Sequence, residues 1–239
     1  MPNPTPVAET FRPPVPQAAV IPGPVGNLEA RIENPVPVDA VHRVVGVVCH
    51  PHPLYGGTMQ NKVVHTAARA MQEAGAATVR FNFRGVGRSA GQYDKGLGEL
   101  EDALAVVAWA RAHFGCDELW LAGFSFGAAV VLQAAARDAR PRRLVTIAPP
   151  VGRIITDPVA RPACPWLIVQ GDHDELVEIA AVRAWAAGYE PPPQLLVIGA
   201  AEHFFHGKLL ELRAGILDFL RTDDLAAPVT GDWAAGPHQ

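Results

Sequence analysis

Gly123-Phe124-Ser125-Phe126-Gly127 is a G-x-S-x-G pentapeptide. Its serine can act as a nucleophile where a histidine takes its proton and a carboxylate orients that histidine. The pentapeptide follows an apolar run, Glu118 to Ala122, and opens an Ala/Val-rich stretch, Phe126 to Arg137. A serine on so sharp a strand-to-helix turn is presented above a sheet, and the helix beyond it aims free N–H groups and a positive dipole end at developing negative charge. In this arrangement the partners follow in the order acid, then histidine. Gly171-Asp172-His173-Asp174 comes after the apolar run Trp166 to Gln170, and Gly199-Ala200-Ala201-Glu202-His203 after Gln194 to Ile198. Asp174 is preferred to Asp172 because it lies further out toward the neighbouring loop. His203 is preferred to His206, which falls almost at the start of the terminal helix, where local hydrogen bonding is expected. Ser125, His203 and Asp174 together would perform two-step acyl transfer, through an acyl-enzyme that water resolves.

A tetrahedral oxyanion needs two amide donors. One is expected from the Phe126 N–H. The other should come from His50-Pro51-His52-Pro53-Leu54-Tyr55-Gly56-Gly57, after the apolar run Val44 to Cys49. Pro51 and Pro53 have no N–H, which leaves His52, Leu54, Tyr55 or Gly56; Leu54 is preferred, Tyr55 second. The H-x-H pair is also a weak metal-site signal, with Asp172 or Asp174 as further ligands, and is set below the oxyanion reading. No metal and no cofactor is expected. Gly85-Val86-Gly87-Arg88-Ser89-Ala90-Gly91 misses the dinucleotide fingerprint by one residue and opens no helix. It is read as a structural loop in which Arg80, Arg84 and Arg88 pair with carboxylates such as Asp94, Glu99 or Asp102. Phe124, Phe126, Phe204, Phe205 and Tyr55 are candidate walls of the site.

These residues need a scaffold whose loops converge. Leu28 to Glu33 roughly alternates, as a half-buried antiparallel strand does, whereas Val44 to Cys49 reads as a strand covered on both faces. The pattern continues with helix Lys62 to Ala74, strand Ala77 to Phe81, a Gly-rich loop Arg84 to Gly98 and helix Glu99 to Phe114. Strand Glu118 to Ala122, helix Phe126 to Arg137 and strands Leu144 to Ala148 and Trp166 to Gln170 follow. Helix Ile179 to Ala187, strand Gln194 to Ile198 and helix Lys208 to Leu220 complete it. Alternation at this spacing predicts an α/β fold: a mostly parallel central sheet with an antiparallel amino-terminal strand and helices on both faces. Every candidate site residue then lies beyond the carboxyl end of a strand. Pro149 to Pro165 is too short for a cap domain, so an open cleft taking modest acyl groups is expected.

The segments GNLEAR (26–31), HPHPLYGGTMQNKVV (50–64), RFNFRGVGRSAGQYDKGLGELEDA (80–103), GFSFGA (123–128), QGDHDELV (170–177) and AEHFFHGKL (201–209) resemble the α/β-hydrolase superfamily. Within it they are similar to the small, lid-less bacterial members related to dienelactone hydrolase and carboxylesterases. The resemblance spans roughly residues 26 to 220. It implies Ser125 as nucleophile, Asp174 as acid and His203 as base, and a carboxylesterase-like activity on small esters. Serine in place of the cysteine of dienelactone hydrolase argues against that enzyme's own substrate. A peptidase or thioesterase using the same triad, or a binding protein that retains the fold without turnover, are the rivals.

The 239 residues are 49% hydrophobic and 18% charged, enough for a substantial core. One domain, 26–221, is expected, preceded by a Pro-rich irregular arm, 1–25, and followed by a poorly ordered tail, 222–239. A formal charge of −4 offers no basic excess for a phosphate backbone, so nucleic acid is not an expected partner. Neither a secretory leader nor a membrane-length apolar run is read, and three scattered cysteines suit a reducing, cytoplasmic setting. The expected partner is a small-molecule ester, and a homodimer is compatible with the sequence.

Overall fold

The computed structural model describes residues 16–35, 44–156 and 159–222. Eight strands form one sheet: β1 (Gln17–Gly23), β2 (Gly26–Glu33), β3 (Val44–Cys49), β4 (Ala77–Phe81), β5 (Glu118–Phe124), β6 (Arg143–Ile147), β7 (Trp166–Gly171) and β8 (Gln194–Ile198). The helices are α1 (Lys62–Glu73), α2 (Leu97–Phe114), α3 (Phe126–Ala134), α4 (Ile179–Ala187) and α5 (Leu209–Arg221). The spatial order is β1-β2-β4-β3-β5-β6-β7-β8, parallel from β4 to β8 and antiparallel at β1–β2 and β2–β4. This is the α/β-hydrolase architecture, with no cap domain among the described residues.

Side-chain alternation divides the sheet into two cores. Val45, Val47 and Cys49 of β3 pack with α2, α3 and α4, while Val48 packs with α1 and α5. Being buried on both faces, the central strands are apolar at nearly every position, which is why they read as runs. The strand order reverses at β3, whose neighbours are β4 and β5. At such a reversal the loops beyond the strand ends diverge and leave a crevice. The loops after β3 and β5, carrying His52 and Ser125, flank it.

Some boundaries differ from the sequence reading. Residues 17–23, expected within the irregular arm, form β1 and pair with β2 from Gln17↔Ile32 to Gly23↔Gly26. An outer strand has one unpaired edge, so Pro22 costs the sheet no necessary donor. Residues 1–15 of the arm and 223–239 of the tail lie outside the described residues. The helix predicted from Glu99 starts at Leu97, because the Glu99 carboxylate accepts from the Asp94 N–H (2.9 Å) and the Gly96 N–H (2.7 Å) and so caps its own first turn. The helix after Ser125 is α-helical to Ala134 and ends in a π turn, Ala135–Ala139.

The loop between β4 and α2 is fastened by buried charge. The Arg84 side chain gives Asp102 a forked pair of bonds, Nε to Oδ2 at 3.0 Å and Nη2 to Oδ1 at 2.8 Å, and the Arg84 N–H adds a third at 3.0 Å. The other two arginines pair differently from expectation: Arg80 with Glu33 and Arg88 with Glu29, both on β2. The β2–β4 register explains the first, since Glu33 faces Thr78 and Arg80 is its diagonal neighbour. Removing one partner of such a pair leaves a buried charge uncompensated. Asp102→Ala is therefore expected to lower unfolding free energy by about 3–5 kcal/mol, measured by urea denaturation; a loss below about 1 kcal/mol would put the pair on a par with a surface one.

Candidate active site

Ser125 sits between β5 and α3 with φ 53° and ψ −116°, a conformation an L-residue holds only when its surroundings impose it. Its N–H donates to Ile147 O of β6 at 2.8 Å, and its carbonyl accepts from Ala128 N at 2.8 Å. The two glycines of the pentapeptide are a packing requirement. A Cβ on Gly123 would strike the carbonyl of Gly127, and one on Gly127 the carbonyls of Cys49 and His50 at the end of β3. The turn thus lies backbone to backbone against the crevice.

The loop after β8 brings His203 to the serine, with Nε2 3.0 Å from Ser125 Oγ and Nδ1 2.8 Å from Asp174 Oδ2. A carboxylate only accepts, so Nδ1 carries the imidazole proton and Nε2 is free to accept from the serine hydroxyl. His203 is 2% exposed, and its backbone N–H donates to Glu175 Oε2 at 3.1 Å. Asp174 also takes the Leu176 and Val177 N–H groups on Oδ1 (2.8 and 2.9 Å) and the Gln170 amide on Oδ2 (2.8 Å). Burial works to raise its pKa, but the bonds and charge of His203 with the two backbone donors outweigh it and hold the carboxyl below its ordinary value. The alternatives stand aside: Asp172 is exposed with its N–H bonded to Ile198 O, and His206 pairs with Glu202 on the surface.

Phe126 is the first residue of α3, so its N–H has no helical acceptor and faces the serine turn. Leu54, the preferred second donor, is corrected. Pro53–Tyr55 form one 3-10 turn capped by His52, and the Leu54 N–H donates to His52 Nδ1 at 3.2 Å. Tyr55 N and Gly57 N both donate to His52 O at 3.1 Å. Proline at the first helical position, followed by amides that fold back on the capping residue, is a start signal that was present in HPLY. Leu54 and Tyr55 instead project side chains that are 66% and 86% exposed. Of the amides weighed from sequence, His52 and Gly56 are left, and His52 is the one beside the end of β3, its ring 5.1 Å from that of Phe126.

The two histidines of H-x-H are engaged internally. His50 is buried; its Nε2 accepts from Phe83 N at 3.1 Å and its Nδ1 donates to Pro51 O at 2.6 Å. Burial pushes its pKa down to about 4, so it is neutral and joins β3 to the loop after β4. His52 bonds Leu54 N through Nδ1 and the Tyr93 hydroxyl through Nε2, at 3.1 Å. Neither ring has a nitrogen left for a metal, and no group of three potential ligands is arranged around one among the described residues.

Tyr93 was missed; it lies in the Gly-rich loop Arg84 to Gly98, beyond the stretch Gly85 to Gly91 that was read as structural. Its ring lies 5.0 Å from His52 and 6.0 Å from Phe126. On the other side of Ser125, Phe124 and Phe204 flank His203 with ring centroids 5.2 Å away. Phe205 is wholly buried and belongs to the core. A cavity of about 550 Å³ between β8 and α5 is lined by Leu196, Ile198, Leu210 and Phe219 and contains none of the three relay residues. Among the described residues, no helix is long and apolar enough to cross a membrane.

Residues 26–157 match the peptidase S15 family, described as X-Pro dipeptidyl-peptidase. The chain is 34% identical over 209 residues to an uncharacterized protein of Rickettsia prowazekii, covering 84% of this chain and 87% of that one. Among solved structures it is similar to XC6422 of Xanthomonas campestris, an α/β serine hydrolase without lid, at 47% identity and TM-score 0.82, over 89% of this chain and 97% of that one. It is also similar to an α/β serine hydrolase homologue from Coxiella burnetii, at 47% identity and TM-score 0.79, over 84% and 96%.

The lowered Asp174 carboxyl ties stability to pH. A depressed folded pKa contributes stability that is present above the unfolded value and lost as pH falls through the folded one. The difference in unfolding free energy between the protein and Asp174→Asn should be flat above about pH 5 and shrink below about pH 4; urea titrations in which the gap widened in acid would contradict this.

Proposed function

The chain belongs to the peptidase S15 family, within the α/β-hydrolase superfamily, and from that premise we propose that it hydrolyses small carboxylic esters through an acyl-enzyme on Ser125. The observation that carries this reading is the unbroken relay Ser125–His203–Asp174, at 3.0 and 2.8 Å, on the open edge of a sheet. His203 Nε2 takes the hydroxyl proton as Oγ attacks the ester carbonyl, and Asp174 stabilises the imidazolium that forms. The oxyanion is held by the Phe126 N–H at the start of α3 and by the His52 N–H across the crevice. His203 then returns its proton to the leaving alkoxide, and water, activated by the same nitrogen, releases the acid and restores the serine. No step draws on a cofactor.

The family match favours a second reading, cleavage of an X-Pro peptide. A dipeptidyl-peptidase must pair the amino terminus of its substrate with a carboxylate on the acyl side. The carboxylate acting on His52 and Tyr93 is Glu99, which is buried and already accepts the Asp94 and Gly96 N–H groups. The ester reading is therefore preferred, and thioesters share its requirements.

A panel of 4-nitrophenyl esters beside alanyl-prolyl-4-nitroanilide separates the two: ester turnover with no anilide turnover supports esterase action, and the reverse replaces it with peptidase action. Ser125→Ala should abolish labelling by a fluorophosphonate and reduce kcat by at least about 10⁴; labelling that persisted would remove Ser125 from the mechanism. The second donor is tested by a pair of variants. His52 has φ −53° and ψ 123°, which proline can adopt, so His52→Pro deletes the amide hydrogen while His52→Ala keeps it. On 4-nitrophenyl acetate His52→Pro is expected to cost about 10²-fold in kcat beyond His52→Ala, and equal rates would assign the donor elsewhere.

A further inference from the structure

His52 and Tyr93 form a hydrogen-bonded pair beside the oxyanion amides, and the direction of that bond is fixed by a third group. The Leu54 N–H donates to His52 Nδ1 at 3.2 Å. A nitrogen that accepts carries no hydrogen, so the neutral imidazole holds its proton on Nε2. The opposite tautomer would set two hydrogens against each other across the 3-10 turn. Desolvation favours the neutral ring by lowering the His52 pKa. Nε2–H therefore donates to Tyr93 Oη at 3.1 Å, and the hydroxyl hydrogen of Tyr93 is turned away from His52. No other protein acceptor takes it among the described residues. Burial, with the charge of Glu99, raises the Tyr93 pKa, so the group stays a donor through the neutral range.

The position of this donor relative to the reacting carbon follows from the mechanism. The leaving oxygen must lie where His203 Nε2 can protonate it, which places the leaving group on the side of Phe204. An acyl chain directed away from that side can pass Phe126 and His52, whose rings stand 5.1 Å apart, and reach Tyr93. Tyr93 is half-buried, with its ring 6.0 Å from Phe126, and lies in a loop fastened by Arg84–Asp102 and by the bonds of Glu99 to Asp94 and Gly96. It is held in place before any substrate arrives.

We propose that Tyr93 is a specificity-determining residue, and that it selects esters whose acyl part carries an uncharged acceptor oxygen, such as an ether, hydroxyl or second carbonyl group. This rests on the esterase reading above and names the substrate class within it. A carboxylate on the acyl chain is disfavoured, because Glu99 places negative charge by the same ring, and Arg84, the cation that acts on Glu99, is engaged by Asp102. An all-carbon chain would displace water from the hydroxyl hydrogen and offer no acceptor in its place.

The test is a series of 4-nitrophenyl esters in which an ether oxygen replaces one methylene: methoxyacetate against butanoate, 3-methoxypropanoate against pentanoate, and 4-methoxybutanoate against hexanoate. For each pair the ratio of kcat/KM is divided by the same ratio in Tyr93→Phe, which cancels intrinsic reactivity. At one chain position this quotient is expected to reach about 3- to 10-fold, the range of a net hydrogen bond between neutral groups. Quotients of 1 at every position, or a Tyr93→Phe protein slowed equally on both esters of each pair, would overturn the proposal and leave Tyr93 a structural residue. Fluorophosphonate labelling of Ser125 run beside the kinetics separates the layers. A labelled protein without discrimination overturns the role of Tyr93 alone, whereas neither labelling nor ester turnover overturns the esterase reading and this inference with it.

Discussion

Ser125 occupies a backbone conformation that its own side chain disfavours, and the architecture around it is what makes that conformation the stable one. Positive φ at a non-glycine residue costs of order 1–3 kcal/mol. The cost is offset by neighbours on every side: the Ser125 N–H is bonded to β6, its carbonyl opens α3, and Gly127 lies against the last carbonyls of β3. Three strands are thereby joined at one turn. Because Gly127 touches Cys49 and His50, the loop that begins at His50 is placed relative to Ser125 by backbone contact, before any side chain is considered. The Ser125 hydroxyl and the β3 loop are two ends of one rigid junction.

The loops that surround this junction owe their shape to polar groups paired across distant segments. His50 bonds the loop after β4 to the end of β3, Glu29 of β2 receives Asn82 and Arg88, and Asp102 receives three donors from Arg84. Each is a connection between segments distant in sequence. Buried polar groups are costly when unpaired and specific when paired, so such networks select one loop conformation from many of similar apolar burial. The same reasoning separates the two histidines of one short motif. His50 is closed on both nitrogens within the core and serves only position, whereas His52, two residues on, has one nitrogen fixed by a local amide and the other directed at a side chain of the site.

How much of this was legible in the sequence depended on whether the determining contact was local. The parallel sheet, the serine turn and the strand-end positions of Asp174 and His203 follow from patterns within single segments: apolar runs such as VVGVVC, and loop residues at strand ends. Strand β1 was not legible, because prolines dominate its neighbourhood and its pairing with β2 is what makes Pro22 harmless. The partners of Arg80 and Arg88 depended on the antiparallel register of β2 with β4, which no spacing encodes. Leu54 failed for a local reason that the sequence did contain: Pro53 starts a helical turn, and the first amides of a turn are claimed by its cap. Tyr93 had no signal of its own, since it matters only through a histidine some forty positions earlier in the chain.

An enzyme of this family without a cap cannot rely on closure to remove water and tighten its electrostatics. The stabilisation of developing charge must then be present in the resting structure. That requirement accounts for several otherwise separate features. The α3 amino terminus is directed at the serine by a fixed turn rather than by a mobile segment. The β3 loop is stiffened by Pro51 and Pro53 and by three amides bonded to His52. Burial lowers the pKa of both histidines of that loop and so favours their neutral forms. Aromatic rings stand on either side, His52, Tyr93 and Phe126 on one and Phe124 and Phe204 on the other. In a site of this kind, donors fixed at the walls can supply selectivity without a closing step.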